Sequence, residues 1–216
     1  MRTTRVTAAA LAAAAALTLA ACSSDTGKDS SVAVVSTPSK TTGGTVIDRP
    51  FAKPDMVLTD SHGKKFNLRE QTKGKPTLLY FGYTHCPDVC PLTMGNIASA
   101  KKALPKADQD RLQVVFVTTD PDRDTPASLD KWLKAQDPSF IGLTGDFKTI
   151  QAGARTMGIG IEAAKKEADG SVVSMHGAQV IAFSPKTDEG YVLYGEDTTV
   201  DDYAKDLPKI IKGENP

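Results

Sequence analysis

The chain has 216 residues, with 26 Lys and Arg set against 26 Asp and Glu, and only three Cys and three His. Zero formal net charge, with neither sign gathered into long blocks, argues against nucleic acid and against an electrostatic grip on lipid headgroups. The length allows one ordinary domain with a single good core.

At the N-terminus, Arg2 and Arg5 precede an Ala- and Leu-rich stretch over 8–21. It is too short and too small-residued for a settled membrane span and reads as an export signal over 1–21. Leu19-Ala20-Ala21-Cys22 resembles the lipobox of bacterial lipoproteins, which implies cleavage before Cys22 and a diacylglycerol on its sulfur. The plainer reading, a secreted chain cut near Ala21, would leave Cys22 as a spare thiol in an oxidising compartment, a liability. Lipidation places the protein at the extracytoplasmic face of the cell membrane, held by acyl chains. Residues 22–44 are mainly Ser, Thr, Lys, Asp and Gly, a composition expected to serve as a tether. One domain, without internal repeats, is expected over 45–216.

Within that domain, 56–59 and 65–68 read as short strands around a Gly-containing turn, with His62 a solvated turn residue. The apolar run over 76–83 is expected to be a central strand buried on both faces. A helix follows over 92–104, closing at Pro105 and carrying Cys90 at or near its first turn. Residues 112–117 form the next buried strand, and Thr125-Pro126 opens a helix over 127–135, a capping hydroxyl followed by proline at the first helical position. A short strand at 140–143 leads to a helix over 147–157, capped near Thr144. Extended segments follow at 159–163, 172–173, 178–184 and 191–194, with turns at 169–170 and 185–190, and a last helix at 200–212. A leading hairpin, alternating βαβ units, a late antiparallel pair and a terminal helix make an α/β domain with a mixed central sheet and flanking helices. A cysteine motif at the first strand-to-helix junction makes that order thioredoxin-like.

The chemistry gathers in Cys86-Pro87-Asp88-Val89-Cys90. At a helix start, backbone N–H groups and the positive helix end favour thiolate. Were the segment helical, a spacing of four would put both sulfurs on one face. Two thiolates form a disulfide or grip one soft ion, copper(I), zinc or iron–sulfur in preference to magnesium or calcium. The gap is one residue longer than that of thioredoxin, which leaves room for a metal between the sulfurs. His176, just before a strand, would complete a trigonal site suited to both Cu(I) and Cu(II). Read from the residues alone, however, a lone histidine there is more often structural. His85 competes for the ligand role, and Met175 is better explained by packing. Asp120 and Asp124 lie in a turn at the end of the second core strand, where sites gather in open α/β sheets. They are turn and cap residues, or a second layer ordering the metal loop.

The stretch from Phe81 to Pro91, Asp120-Pro121-Asp122-Arg123-Asp124-Thr125-Pro126 and the later His176 together resemble the Sco (SenC) family of copper-binding assembly factors for cytochrome c oxidase. The likeness runs over about 56–212. It implies a thioredoxin-like fold, copper held by Cys86, Cys90 and His176, and delivery of copper to the binuclear copper centre of the oxidase; another copper chaperone is a candidate donor that the sequence itself does not identify. The alternative is a thiol–disulfide oxidoreductase in which Cys86 and Cys90 are a catalytic pair that reduces the oxidase's copper-ligating cysteines. A peroxidase is weaker, for no Thr-x-x-Cys arrangement precedes either sulfur, and a structural disulfide needs no such setting. Family members often carry an acidic residue before this histidine and a hydroxyl residue after it; here Met175 and Gly177 stand there.

Overall fold

The structure, a computed structural model, describes residues 43–166, 172–174 and 177–216. Among them, strands β1 (Thr45–Ala52), β2 (Val57–Asp60), β3 (Lys65–Asn67), β4 (Thr77–Gly82), β5 (Gln113–Thr118), β6 (Ile141–Thr144), β9 (Val180–Phe183) and β10 (Glu189–Tyr194) form one sheet. Its order is β1-β10-β9-β4-β5-β6-β2-β3, while β7 (Lys165–Lys166) and β8 (Val172–Val173) pair separately as a small ribbon. The helices are α1 (Leu68–Gln71), α2 (Val89–Lys102), α3 (Lys106–Arg111), α4 (Pro126–Lys134), α5 (Phe147–Arg155) and α6 (Val200–Ile210). The sheet is mixed, as expected: β4, β5 and β6 run parallel, and β9 lies antiparallel on the other side of β4.

β4 explains the architecture. All six of its residues are buried, because each face carries a helical layer. Alternation sends Leu78 and Tyr80 into the cluster with Met94, Ile97, Leu129 and Leu207, and sends Leu79 and Phe81 into the opposite cluster with Leu143, Ile150 and Ala154. β4 ends beside β5, with Gly82 opposite Thr118, and the Thr119 N–H donates to the Gly82 carbonyl at 2.7 Å. The loop leaving β4 and the turn leaving β5 therefore emerge side by side.

Several elements differ from the sequence expectations, each for a local reason. β1 escapes periodicity because it is an exposed edge strand interrupted by Pro50, paired only to β10 through an irregular register. Leu68 begins α1 rather than continuing β3, because the Asn67 side chain accepts from the Glu70 N–H and caps a helical turn. α3, placed just after Pro105, buries none of its residues and so shows no apolar stripe. α5 is capped by Asp146, whose carboxylate accepts from the Thr149 N–H, while Thr144 belongs to β6. In 159–163 only Ile161 makes a bridge. The Thr125 cap of α4 does form, its hydroxyl accepting from the Ser128 N–H at 3.3 Å.

Candidate metal and thiol site

Cys86 and Cys90 meet at the entrance of α2. Cys90 is the second helical residue, but Cys86 sits in the turn before the helix, so the sulfurs do not stack one turn apart on a helical face. Asp88 holds the cap position without a side-chain cap bond. The Cys90 N–H instead points at Cys86 Sγ, 3.4 Å away. The sulfur of Cys86 thus takes the place that a capping oxygen fills in most helices.

The two thiols, neither in a disulfide, differ in surroundings: Cys86 is half-buried and Cys90 fully buried. Burial pushes the Cys90 thiol up to about 12, an effect reduced by hydrogen bonds that its sulfur receives from the Tyr80 hydroxyl and the Tyr83 N–H. Gly82 makes this packing feasible, because a Cβ there would stand 2.8 Å from Cys90 Sγ and 2.9 Å from the Tyr80 ring.

Asp124 is the knot behind the cysteine loop. Fully buried, it accepts from the Thr84 N–H at 2.9 Å, from the Thr84 hydroxyl, and from the Thr118 hydroxyl at 2.7 Å, while His85 Nδ1 stands 3.5 Å from it. His85 is oriented by Asp124 and Thr84 at the exposed side of the loop. Asp120, also buried, pairs with Arg123, whose guanidinium lies 6.0 Å from the Tyr83 ring centre. Both aspartates therefore tie the β5 turn to the loop that carries Cys86. His62 lies at an exposed turn within the β2–β3 hairpin.

Met175 and His176 lie outside the described residues, as does Cys22 with its signal and tether. Both flanks of His176 are described. Ser174 is buried, with its hydroxyl 2.9 Å from Thr119 Oγ1, and its N–H donates to the Tyr83 hydroxyl. On the other side, Gly177 packs so that a Cβ would stand 3.1 Å from Ile159, and Val180 pairs with Tyr80. Among the described residues no group of three or more His, Cys, Asp or Glu is arranged to hold a metal ion. A cleft of about 730 Å³ beside α5 reaches Gly177, but no residue of the cysteine loop lines it. Sequence reasoning assigned no role of their own to Tyr80, Tyr83, Thr84 and Ser174, because a hydroxyl shows no pattern until its partner in the fold is known.

This is a thioredoxin-like domain whose thiol pair sits at the first strand-to-helix junction, with an acidic turn buried behind it. Residues 44–212 match the SCO1/SenC family model, and the chain belongs to that family. It is 43% identical over 97 residues to the SCO2-like protein RC0895 of Rickettsia conorii, covering 45% of this chain and 46% of that protein. It is 40% identical over 95 residues to the mitochondrial protein SCO2 of Saccharomyces cerevisiae, covering 44% and 31%. The matched region thus spans half or less of these relatives. Among solved structures, apo Sco1 of Thermus thermophilus aligns with a TM-score of 0.67 at 33% identity, over 76% of this chain and 94% of that one. Copper-bound ScoI of Bradyrhizobium japonicum aligns with a TM-score of 0.63 at 33% identity, over 75% and 98%.

Proposed function

We propose that this chain carries one copper ion on Cys86, Cys90 and His176 and supplies it to the binuclear copper centre of cytochrome c oxidase, loaded by another copper chaperone and held at the extracytoplasmic membrane face through Cys22. The observation that carries the reading is a pair of cysteines outside any disulfide at the start of α2, the Cys90 N–H 3.4 Å from Cys86 Sγ and Cys86 reachable from solvent, in a member of the SCO1/SenC family. The relative from B. japonicum is described with copper bound, and BsSco is described as a member of the Sco family of cytochrome c oxidase assembly proteins. That membership brings copper and the oxidase into the proposal.

Reach supports His176 as the third ligand. Ser174 is anchored to Thr119 and to Tyr83, three residues before Cys86. Two residues of chain span at most about 7 Å, so a chain leaving Ser174 can reach the cysteine loop within the two residues to position 176. Thiolate and imidazole together suit copper in both oxidation states. Forming a Cys86–Cys90 disulfide removes both sulfur ligands, which couples release and loading to redox state.

The test is a titration of the reduced domain with Cu(II), read by thiolate-to-copper charge-transfer absorption. One equivalent is expected to saturate the band, and changing Cys86, Cys90 or His176 to Ala is expected to abolish it. A band that persists unchanged in His176→Ala overturns the three-ligand site.

A second reading is favoured by the unequal exposure of the thiols. Cys86 thiolate attacks one sulfur of a partner's disulfide, giving a mixed disulfide and releasing the first partner thiol. Cys90 then attacks Cys86 Sγ, forming the internal disulfide as its proton passes to the second departing sulfur. Two electrons move from the pair to the partner. A reductase of this kind keeps its activity in His176→Ala, whereas the copper carrier loses it.

A further inference from the structure

Tyr80 points from β4 toward the face that α2 covers and is almost wholly enclosed there. A buried phenol needs partners for both its proton and its oxygen. Two partners stand on α2, one helical turn apart: the Tyr80 hydroxyl donates to Cys90 Sγ at 3.5 Å, and the Thr93 side chain is its second neighbour. A phenol has a single proton, and the bond to Cys90 Sγ uses it. Cys90 continues the series, its S–H donating to Cys86 and its backbone N–H lying 3.4 Å from Cys86 Sγ. Hydrogen bonds linked in this way polarise one another.

We propose that Tyr80, held by Thr93, is a positioning residue that aims the Cys90 sulfur at Cys86 and biases the pair toward its reduced form, whether dithiol or copper-bound dithiolate. The physical reason is an asymmetry of acceptors. A thiol or thiolate sulfur accepts the phenol proton well and a disulfide sulfur accepts it poorly, so the bond is gained on reduction and lost on oxidation. The bias acts on the pair that the proposed function uses, but one arm of the test needs no copper.

That arm is the equilibrium of the Cys86–Cys90 pair with dithiothreitol, comparing the wild type with Tyr80→Phe, which keeps the ring and removes only the hydroxyl. Two protons and two electrons leave the Cys86 and Cys90 thiols as their S–S bond forms, and oxidised dithiothreitol takes them up as its own S–S bond breaks. Tyr80→Phe is expected to move this equilibrium toward the protein disulfide by roughly fivefold, the factor of one ordinary net hydrogen bond. Tyr203→Phe, which removes another buried hydroxyl at α6, is expected to leave it unchanged. In the Cu(II)-loaded protein, a sulfur freed of its donor is a richer electron source, so the charge-transfer band of Tyr80→Phe moves to lower energy.

An equilibrium that matches the wild type overturns the inference. If Tyr80→Phe does not fold, the reduced wild type decides by proton NMR. A slowly exchanging Tyr80 hydroxyl proton in contact with the Cys90 β-protons, altered on oxidation, is the expected result, and its absence overturns the inference. Failure of the copper carrier would show instead as no band in the wild type, with the dithiothreitol shift intact.

Discussion

At the scale of single residues, the two cysteines differ because of what stands behind them. Cys90 is backed by Tyr80, Gly82 and Phe116, and the space for its sulfur exists because position 82 has no side chain. Gly82→Ala forces a methyl within 2.8 Å of Cys90 Sγ and 3.0 Å of the Phe116 ring, neither a flexible end. Overpacking of this kind is expected to cost about 1–3 kcal/mol in urea denaturation and to raise the rate at which Cys90 reacts with a thiol reagent. Burial of Cys90 also sets a pH dependence. Its thiol is pushed up to about 12 from an ordinary 9.0, so the folded protein retains a proton that the unfolded chain has already released. The stability this contributes is complete below pH 9.0 and is lost as pH rises toward about 12. Cys86→Ser leaves burial as the main cause: its ultraviolet thiolate absorbance is expected to rise well above pH 9 when folded and near pH 9 in urea, and a folded midpoint near 9 would refute it.

At the scale of elements, the site is an agreement between the turn after β4, the turn after β5 and the segment entering β9. Asp124 joins the first two, and Ser174 joins the third to both. Ser174→Ala removes the hydroxyl contact to Thr119 while leaving its backbone bond to Tyr83. Copper affinity is therefore expected to fall by roughly tenfold, the usual size of an outer-layer loss around a metal, while urea denaturation moves little. Equal losses in both would make Ser174 a packing residue alone. The strand-to-helix junction was legible because the apolar run over 76–83, the spacing of Cys86 and Cys90 and the helix closing at Pro105 point the same way. The edge strand β1 and the helix α3 were not, since each presents its side chains mainly to solvent and periodicity reports burial. The hydroxyls around the site were invisible for a different reason. Thr84 and Asp124 are 40 residues apart in the chain and Thr119 and Ser174 are 55 apart, and only the side-by-side ends of β4 and β5 bring them together.

At the scale of the whole molecule, the question is how the proposed copper carrier, with its ordinary, charge-balanced surface, would find the oxidase. Its net charge is zero, so long-range steering contributes little, and among the described residues no helix is long and apolar enough to cross a membrane. Attachment through Cys22 would supply what the surface does not, for confinement to the partner's membrane raises effective concentration without any new contact. A weak, easily released docking interaction would then be sufficient, which suits the proposed carrier, since delivery requires it to let go of copper. The prediction separates the anchor from the site. Expressed with residues 1–21 in a bacterium that processes lipoproteins, the chain is expected in the membrane fraction, and Cys22→Ser is expected to move it out of that fraction. Purified Cys22→Ser should still bind one equivalent of copper with the wild-type charge-transfer band, because Cys86 and Cys90 lie in a domain that begins some twenty residues later in the chain. Oxidase assembly in cells carrying Cys22→Ser should nonetheless fall, and fall less when the variant is overproduced, since higher bulk concentration replaces the lost confinement. Membrane retention of Cys22→Ser would show that something other than the lipid holds the chain there.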